Sequence, residues 1–211
     1  MKKITIIDYG CGNILNLERS IRFLGYETEI TNDKKKIIDS SNVILPGVGA
    51  FGHAMQQLEK YNLHKIIIDY ANLKKPLLGI CLGMQLLFTK SCEFGNHKGL
   101  GLIDGEVVKI SNKKNQNIKV PHVGWNEINP SNNKKEWRCK ILSNSLIGKS
   151  FYFVHSFLCL TKKADSTIAV CEYSGVTIPA VVSNNHIFGC QFHPEKSAKD
   201  GLSILKNFCE I

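Results

Sequence analysis

Short apolar runs alternate with helical patterns through the first 80 residues, and this alternation restricts the fold more than any other feature. The runs at residues 4–7, 27–31, 42–45 and 76–80 have the length of strands, whereas residues 14–24, 51–60 and 64–73 carry apolar side chains at helical spacing. Asn13 stands at the position of a helix cap, and Gly25 can end the first helix. Strands separated by helices predict a mostly parallel sheet with helices on both faces.

The second half of the chain changes to strand-like segments separated by turns. These segments lie at residues 105–110, 118–122, 151–157, 167–171, 178–182 and 187–192, and a last helix is predicted over 202–209. Successive strand patterns without intervening helices predict antiparallel additions to the sheet. Because 211 residues suit a single hydrophobic core, we expect one domain spanning residues 1–211.

Composition and spacing exclude several classes of protein. The apolar stretch at residues 77–88 is too short for a membrane span, which needs about 20 residues. The N-terminus lacks a secretory cleavage site and the eight cysteines contain no Cys-x-x-Cys pair, so we expect a cytoplasmic protein without a disulfide framework or zinc site. The net charge of +9 comes from scattered lysines, which argues against a nucleic-acid-binding surface.

A Gly-x-Cys-x-Gly motif lies at the end of the fourth predicted strand. Gly79 and Gly83 flank Cys81 where the strand meets a helix, which is the arrangement of a nucleophile elbow. Helix N-terminal amides favour a thiolate, and the backbone amide of Leu82 can donate to a developing oxyanion. A cysteine between glycines can equally be a small core residue, so the motif by itself leaves both interpretations open.

An imidazole and a carboxylate stand two residues apart near the C-terminus. His193 follows a strand pattern, and Glu195 comes after Pro194, which restricts the backbone between them. A cysteine nucleophile needs a base that takes its proton and returns it to the leaving group, which histidine does near neutral pH. A carboxylate on the other ring nitrogen would fix the tautomer. Cys81, His193 and Glu195 are therefore the predicted catalytic triad.

A Pro-Gly-Val-Gly loop follows the third predicted strand, at residues 46–49. Loops at the carboxyl ends of parallel strands usually bind ligands, and glycine lets backbone amides approach a substrate closely. Val48 or Gly49 could therefore be the second oxyanion donor, although an ordinary turn explains the same residues. Gln85 lies one helical turn beyond Cys81, so it could touch the substrate from the same face.

These stretches together resemble the class I (triad) glutamine amidotransferases. The resemblance spans nearly the whole chain and includes residues 8–13, 46–49, 79–85, 121–126, 152–156 and 191–197. It implies a flavodoxin-like or Rossmann-like α/β fold that hydrolyses L-glutamine through a γ-glutamyl thioester on Cys81, with no cofactor and no metal. It also implies that Gly49 and Leu82 form the oxyanion site, and that four residues hold glutamine: Gln85, Glu93, Ser156 and Phe157.

The resemblance implies a protein partner as well. Within the family, the chain is most similar to members that pass ammonia to a separate (β/α)8-barrel synthase (cyclase) subunit in a heterodimer, for histidine biosynthesis. It implies that Trp125, Tyr152 and Lys196 face this partner. It further implies that the loop containing Gly49 reorients when the partner binds, so the isolated subunit should be nearly inactive.

Two departures leave the ammonia acceptor open. Residues 129–149 are unusually rich in lysine and asparagine, and Phe157 replaces a tyrosine that is frequent in histidine-pathway members. In both features the chain also resembles family members that supply ammonia to sugar-modifying enzymes of surface polysaccharide biosynthesis. A cysteine peptidase or another acyl hydrolase would use the same triad, and a non-catalytic module could retain the same fold.

Overall fold

A computed structural model of the chain describes residues 2–111, 118–131, 135–137 and 139–211. The strands are β1 Lys3–Ile7, β2 Glu27–Thr31, β3 Asn42–Leu45, β4 Leu77–Ile80, β5 Phe88–Ser91, β6 His97–Lys98, β7 Ile103–Lys109, β8 His122–Glu127, β9 Asn129–Pro130, β10 Ser150–His155, β11 Phe157–Thr161, β12 Thr167–Tyr173, β13 Val176–Asn184 and β14 Ile187–Cys190. The helices are α1 Ile14–Phe23, α2 Lys34–Asp39, α3 Phe51–Lys60, α4 Leu63–Asn72, α5 Leu82–Leu86 and α6 Ala198–Glu210.

The central sheet contains five parallel strands in the order β2-β1-β3-β4-β14. Strands β13, β12 and β9 extend it on the β14 side as antiparallel neighbours. A separate antiparallel ribbon pairs β8 with β10, and a small sheet has the order β11-β7-β5-β6. Because β4 and β14 are adjacent and parallel, the residues that follow them meet at one edge of the sheet. Cys81 and His193 both follow these strands.

Apolar side chains cover both faces of the parallel strands, because alternate residues of a strand point to opposite sides. One hydrophobic cluster joins Ile4, Ile6 and Ile44 of the sheet to side chains of α1 and α6. The other joins Ile7 and Val43 to side chains of α2, α3 and α4. The predicted α/β class, with a mostly parallel sheet, helices on both faces and antiparallel additions, is confirmed.

Several predicted elements have different bounds in the structure. The strand predicted at residues 118–122 is wrong, since β8 begins at His122 and runs to Glu127. Pro121 has no N–H to donate to a ladder, so pairing begins after it. The patterns also missed α2, β5, β6, β9 and β11. Asn13 occupies the N-cap position of α1 but makes no side-chain capping hydrogen bond.

Part of the lysine-rich stretch at residues 129–149 lies outside the described residues. Within the described ranges, no helix is both long and apolar enough to cross a membrane.

Candidate active site

Cys81 occupies a sharp turn between β4 and α5. Its φ of 55° and ψ of −111° lie in a region that side-chain-bearing residues seldom adopt, at a cost of about 1–3 kcal/mol. A Cβ atom on Gly79 would lie 2.6 Å from the Gly83 carbonyl oxygen, and one on Gly83 would collide with the carbonyl of Leu45. The turn therefore requires glycine at both flanking positions, because backbone segments approach too closely for any side chain.

His193 and Glu195 form a buried pair beside this turn. The Nδ1 atom of His193 lies 2.8 Å from Oε1 of Glu195, and both side chains are 3% exposed. Because a carboxylate only accepts, Nδ1 carries a proton and Nε2 is the atom left for the thiol. Among the described residues, Nε2 of His193 has no hydrogen-bond partner. Burial alone would lower the pKa of His193, but the Cys81 and Glu195 side chains outweigh burial and raise that pKa.

Three hydrogen bonds fix the backbone of His193 against β10. Its N–H donates to the Tyr152 carbonyl at 2.9 Å, and the Ser197 hydroxyl donates to the His193 carbonyl at 2.6 Å. The backbone N–H of Tyr152 donates in turn to Oγ of Ser197 at 3.0 Å. The position of the predicted base therefore depends on β10 as well as on its own segment.

A cavity of about 370 Å³ opens directly onto Cys81. Its lining contains nine of the residues singled out from sequence: Val48, Gly49, Cys81, Leu82, Gln85, Glu93, Ser156, Phe157 and His193. A larger cavity of about 950 Å³ lies beside Trp137 and Thr167, and its lining contains none of the predicted site residues. Among the described residues, no group of three His, Cys, Asp or Glu side chains could hold a metal ion.

The loop at residues 46–49 is held at both ends. At its start, the buried Tyr9 hydroxyl donates to the Pro46 carbonyl at 2.8 Å. Just after its end, the Phe51 N–H at the start of α3 donates to Oε2 of Glu93 at 2.6 Å. Between these anchors Val48 is 44% exposed, and Gly49 has a φ of +106°, which favours glycine. Conformational freedom in the loop is therefore concentrated at Val48 and Gly49.

The side-chain amide of Gln85 is oriented by two acceptors. Its Nε2 atom donates to the carbonyl of Phe157 at 3.2 Å and to Oε1 of Gln191 at 3.1 Å. Both amide protons are thus used within the protein, so the carbonyl oxygen of Gln85 is the atom available to a ligand in the cavity.

The match to known proteins extends over almost the whole chain. Residues 5–211 match the family model described as glutamine amidotransferase class-I. The chain belongs to this amidotransferase family.

Similar amidotransferases cover the chain from end to end. It is 41% identical over 213 residues to imidazole glycerol phosphate synthase subunit HisH 1 of Legionella pneumophila (strain Lens), covering 100% of both chains. It is 45% identical over 210 residues to subunit HisH of Lactococcus lactis subsp. lactis (strain IL1403), covering 100% of this chain and 99% of that one. The structure of PurLQS from Thermotoga maritima shares the fold, with a TM-score of 0.72 and 18% identity over 99% of this chain and 98% of that chain.

The three residues that the resemblance placed at a partner surface lie together in this amidotransferase. Tyr152 of β10 is paired with Trp125 of β8, and their ring centroids are 6.1 Å apart. Nζ of Lys196 lies 5.9 Å from the centroid of the Tyr152 ring. Trp125 is 52% exposed.

Sequence reasoning assigned no role to three buried polar residues of the amidotransferase site. Tyr9 anchors the loop at Pro46, His155 lines the cavity, and the Gln191 amide lies near the Cys81 sulfur. All three stand in stretches that carried the family resemblance. The available signal was a polar side chain within an otherwise apolar segment, next to predicted catalytic residues.

Proposed function

We propose that the chain is the glutaminase subunit of imidazole glycerol phosphate synthase. In this role it hydrolyses L-glutamine and passes ammonia to a (β/α)8-barrel synthase subunit, which forms imidazole glycerol phosphate and AICAR in histidine biosynthesis. The observation that carries the proposal is the elbow cysteine, which shares one cavity with a carboxylate-paired histidine. The full-length similarity to proteins named as subunits of that synthase supports the choice of pathway. Residues 1–211 are proposed to form one glutaminase domain. The cytoplasmic location stays a prediction.

The triad supports acyl transfer in two stages. His193 takes the proton of Cys81 at Nε2, and the thiolate attacks the side-chain amide carbon of glutamine. The amides of Leu82 and Gly49 stabilise the oxyanion, and His193 then gives its proton to the nitrogen that leaves as ammonia. Water attacks the resulting thioester with His193 as the base, so glutamate is released and the thiol is restored. Glu195 holds the imidazole in the required tautomer throughout.

Side chains on the far wall of the cavity suit the amino-acid end of glutamine. Glu93 is buried, and one of its oxygens is already bonded to the Phe51 N–H. Its other oxygen is proposed to accept from the substrate ammonium group, together with the carbonyl oxygen of Gln85. Ser156 and Phe157 close the cavity at the junction of β10 and β11. An ammonium and an amide are thus recognised at opposite ends, which favours glutamine over longer peptides.

The surface formed by Trp125, Tyr152 and Lys196 is the proposed docking site for the synthase subunit. The backbone of Tyr152 contacts both His193 and Ser197, so a partner that binds this surface lies one residue away from the base. The exposed Val48 and the positive φ of Gly49 permit a rearrangement of the oxyanion loop when the partner is present.

Replacement of the nucleophile tests the proposed reaction. In the complex with the barrel subunit, Cys81→Ala should abolish glutamine-dependent synthesis and leave synthesis from added ammonium salts intact. Glutamate release and cyclised product are both measured. Glutamine-dependent turnover by the Cys81→Ala complex would contradict the assignment. Cleavage of peptides by the unmodified protein would indicate the alternative acyl hydrolase.

The acceptor of the ammonia is tested by the partner that co-purifies. We expect a (β/α)8-barrel synthase that consumes a ribonucleotide substrate. Recovery of a sugar-modifying enzyme instead would assign the chain to polysaccharide biosynthesis, the possibility raised by Phe157 at the cavity wall.

A further inference from the structure

Gln191 is a buried amide next to the reacting sulfur, outside the triad. It follows β14, is fully buried, and its backbone N–H donates to the Ala180 carbonyl at 2.9 Å. Its side-chain Nε2 lies 3.9 Å from Sγ of Cys81, within the range of a hydrogen bond to sulfur. A buried amide of this kind is retained at a cost unless its donors and acceptors are used.

The orientation of the Gln191 amide is determined by Gln85. The Nε2 atom of Gln85 donates to Phe157 and to Oε1 of Gln191, so reversing the Gln85 amide would place its oxygen against two acceptors. With Gln85 held in this orientation, the oxygen of Gln191 is occupied as an acceptor. The NH₂ group of Gln191 therefore faces Cys81 rather than Gln85.

The sulfur has a second polar neighbour whose effect is opposite. The carbonyl oxygen of Val154 lies 3.9 Å from Sγ, so it accepts a hydrogen bond from the thiol form. Once the thiol is deprotonated, this oxygen presents its negative end to an anion. A donor that also contacts the sulfur then favours the thiolate selectively, because hydrogen bonding to a charged form stabilises that form.

We propose that Gln191 is a further catalytic residue, whose amide N–H donates to the Cys81 thiolate and offsets the Val154 carbonyl. Gln85 acts in this arrangement as the positioning residue that keeps the donor directed at the sulfur. The proposal rests on the glutaminase function proposed above and assigns Gln191 to the formation of the nucleophile rather than to the binding of glutamine.

The test measures the pH dependence of Cys81 alkylation by iodoacetamide, read by peptide mass spectrometry. Gln191→Met removes the donor at similar volume, and Gln191→Glu adds a like charge. Cys92 is exposed, so its alkylation in the same samples is an internal reference. The exposed Gln56 of α3 is the matched control, as Gln56→Met. None of the variants substitutes another titratable residue near the sulfur. These residues are His193, Glu195, His155, Tyr9 and Cys159.

We expect Gln191→Met to raise the midpoint of Cys81 alkylation by about one pH unit, and Gln191→Glu to raise it further. The Cys92 profile and the Gln56→Met protein should match the unsubstituted protein. In the complex, kcat for glutamine should fall about tenfold at neutral pH, with KM little changed.

An unchanged Cys81 midpoint in Gln191→Met, in protein whose melting temperature is near that of the unsubstituted chain, would overturn the proposal. A rise in KM with kcat preserved would also overturn it, because Gln191 would then be a wall of the substrate site. Failure of the glutaminase assignment is distinguishable, since the unsubstituted complex would then release no glutamate whatever the alkylation profile shows.

Discussion

Cys81 has a positive φ although it carries a side chain, and this backbone conformation costs free energy. The neighbouring glycines limit that cost. Gly79 and Gly83 let the turn pack directly on the backbone of α5 and of β3. The strain places the sulfur at the edge of the sheet, within the cavity, instead of in the core. The conformation of Cys81 thus lowers backbone stability and makes the sulfur accessible from the cavity.

Adding one methyl group at the elbow should break this packing. Gly83→Ala is expected to lower the free energy of unfolding by at least about 3 kcal/mol, because its Cβ collides with the Leu45 carbonyl. Gly101→Ala is the control: its φ of +67° is strained, but no atom lies within 4 Å of the added Cβ. We expect it to lose only about 1–2 kcal/mol. Urea unfolding measures both, and equal losses would contradict the packing argument.

Two buried histidines contact each other, and one of them, His155, lines the cavity. The Nδ1–H of His155 donates to the Phe157 carbonyl at 2.7 Å, so Nε2 of His155 accepts from Nδ1–H of His122 at 3.0 Å. His122 also stacks on the rings of Phe153 and Tyr173. Burial lowers the pKa of His122 and of His155 to about 4 in each case. Both are therefore neutral at physiological pH.

These histidines predict a loss of stability in mild acid. Their pKa is 6.5 when unperturbed and about 4 in the fold, so the unfolded chain binds more protons between these values. The contribution of these two histidines to the free energy of unfolding is fully present above about pH 6.5. It falls as pH decreases toward 4, by at most about 1.4 kcal/mol per pH unit for each histidine. Urea unfolding from pH 7 to pH 5 measures the slope.

His122→Gln should make that slope shallower, whereas substitution of the exposed His53 by Gln should leave it unchanged. A slope that is identical in all three proteins would show that the buried pair does not cause the acid sensitivity.

At the scale of elements, the site depends on the contact between β10 and the segment joining β14 to α6. The Ser197 hydroxyl accepts from the N–H of Tyr152 and donates to the His193 carbonyl. Neither element is near the other in sequence, and β10 also belongs to the ribbon with β8 that presents Trp125. One hydroxyl thus joins the proposed docking surface to the predicted base.

Ser197→Ala should separate these two roles. The partly buried Tyr152 N–H loses its acceptor, so the free energy of unfolding should fall by about 1–3 kcal/mol. Partner-stimulated glutaminase kcat should fall as His193 loses its fixed position. Ser203→Ala is the control, because the Ser203 hydroxyl donates to the Asp200 carbonyl at 2.7 Å, three residues away on the same helix. Comparable loss of stimulation in both variants would argue against the connection.

At the scale of the whole molecule, the carboxyl edge of the parallel strands carries the chemistry and the proposed partner surface together. Cys81 and His193 follow adjacent strands, and the exposed Val48 and Trp125 lie on loops and ribbon outside them. Lysines and arginines together outnumber the acidic residues and give the net charge of +9, yet the proposed docking surface contains two aromatic rings and a single lysine, Lys196.

Trp125→Ala should therefore weaken the complex. We expect the dissociation constant for the barrel subunit to rise about tenfold or more, since an exposed indole at an interface commonly dominates binding. Leu73 is also 52% exposed, but it precedes β4 and so lies toward the opposite edge of the sheet. Leu73→Ala is the control and should leave binding unchanged, as measured by calorimetry. A similar affinity for both variants would place the interface elsewhere.

Much of the fold could be predicted from the sequence, because apolar periodicity and glycine positions are local properties of the chain. β2, β3 and α3 have the predicted bounds, and the α/β class follows from their alternation. The strand predicted at residues 118–122 failed because pairing partners, rather than apolar content, decide where a ladder begins. β11 was missed for the same reason, since its partner β7 is about fifty residues away.

The sequence alone determined the residue types of the site: a cysteine between glycines, a histidine and carboxylate beside a proline, and a glycine loop after a strand. Only the tertiary structure decided which polar groups surround the sulfur. The Gln191 amide and the Val154 carbonyl each lie 3.9 Å from it, although both belong to segments far from Cys81 in the chain. Those distances depend on how the sheet and the β8–β10 ribbon pack, and no local pattern records them.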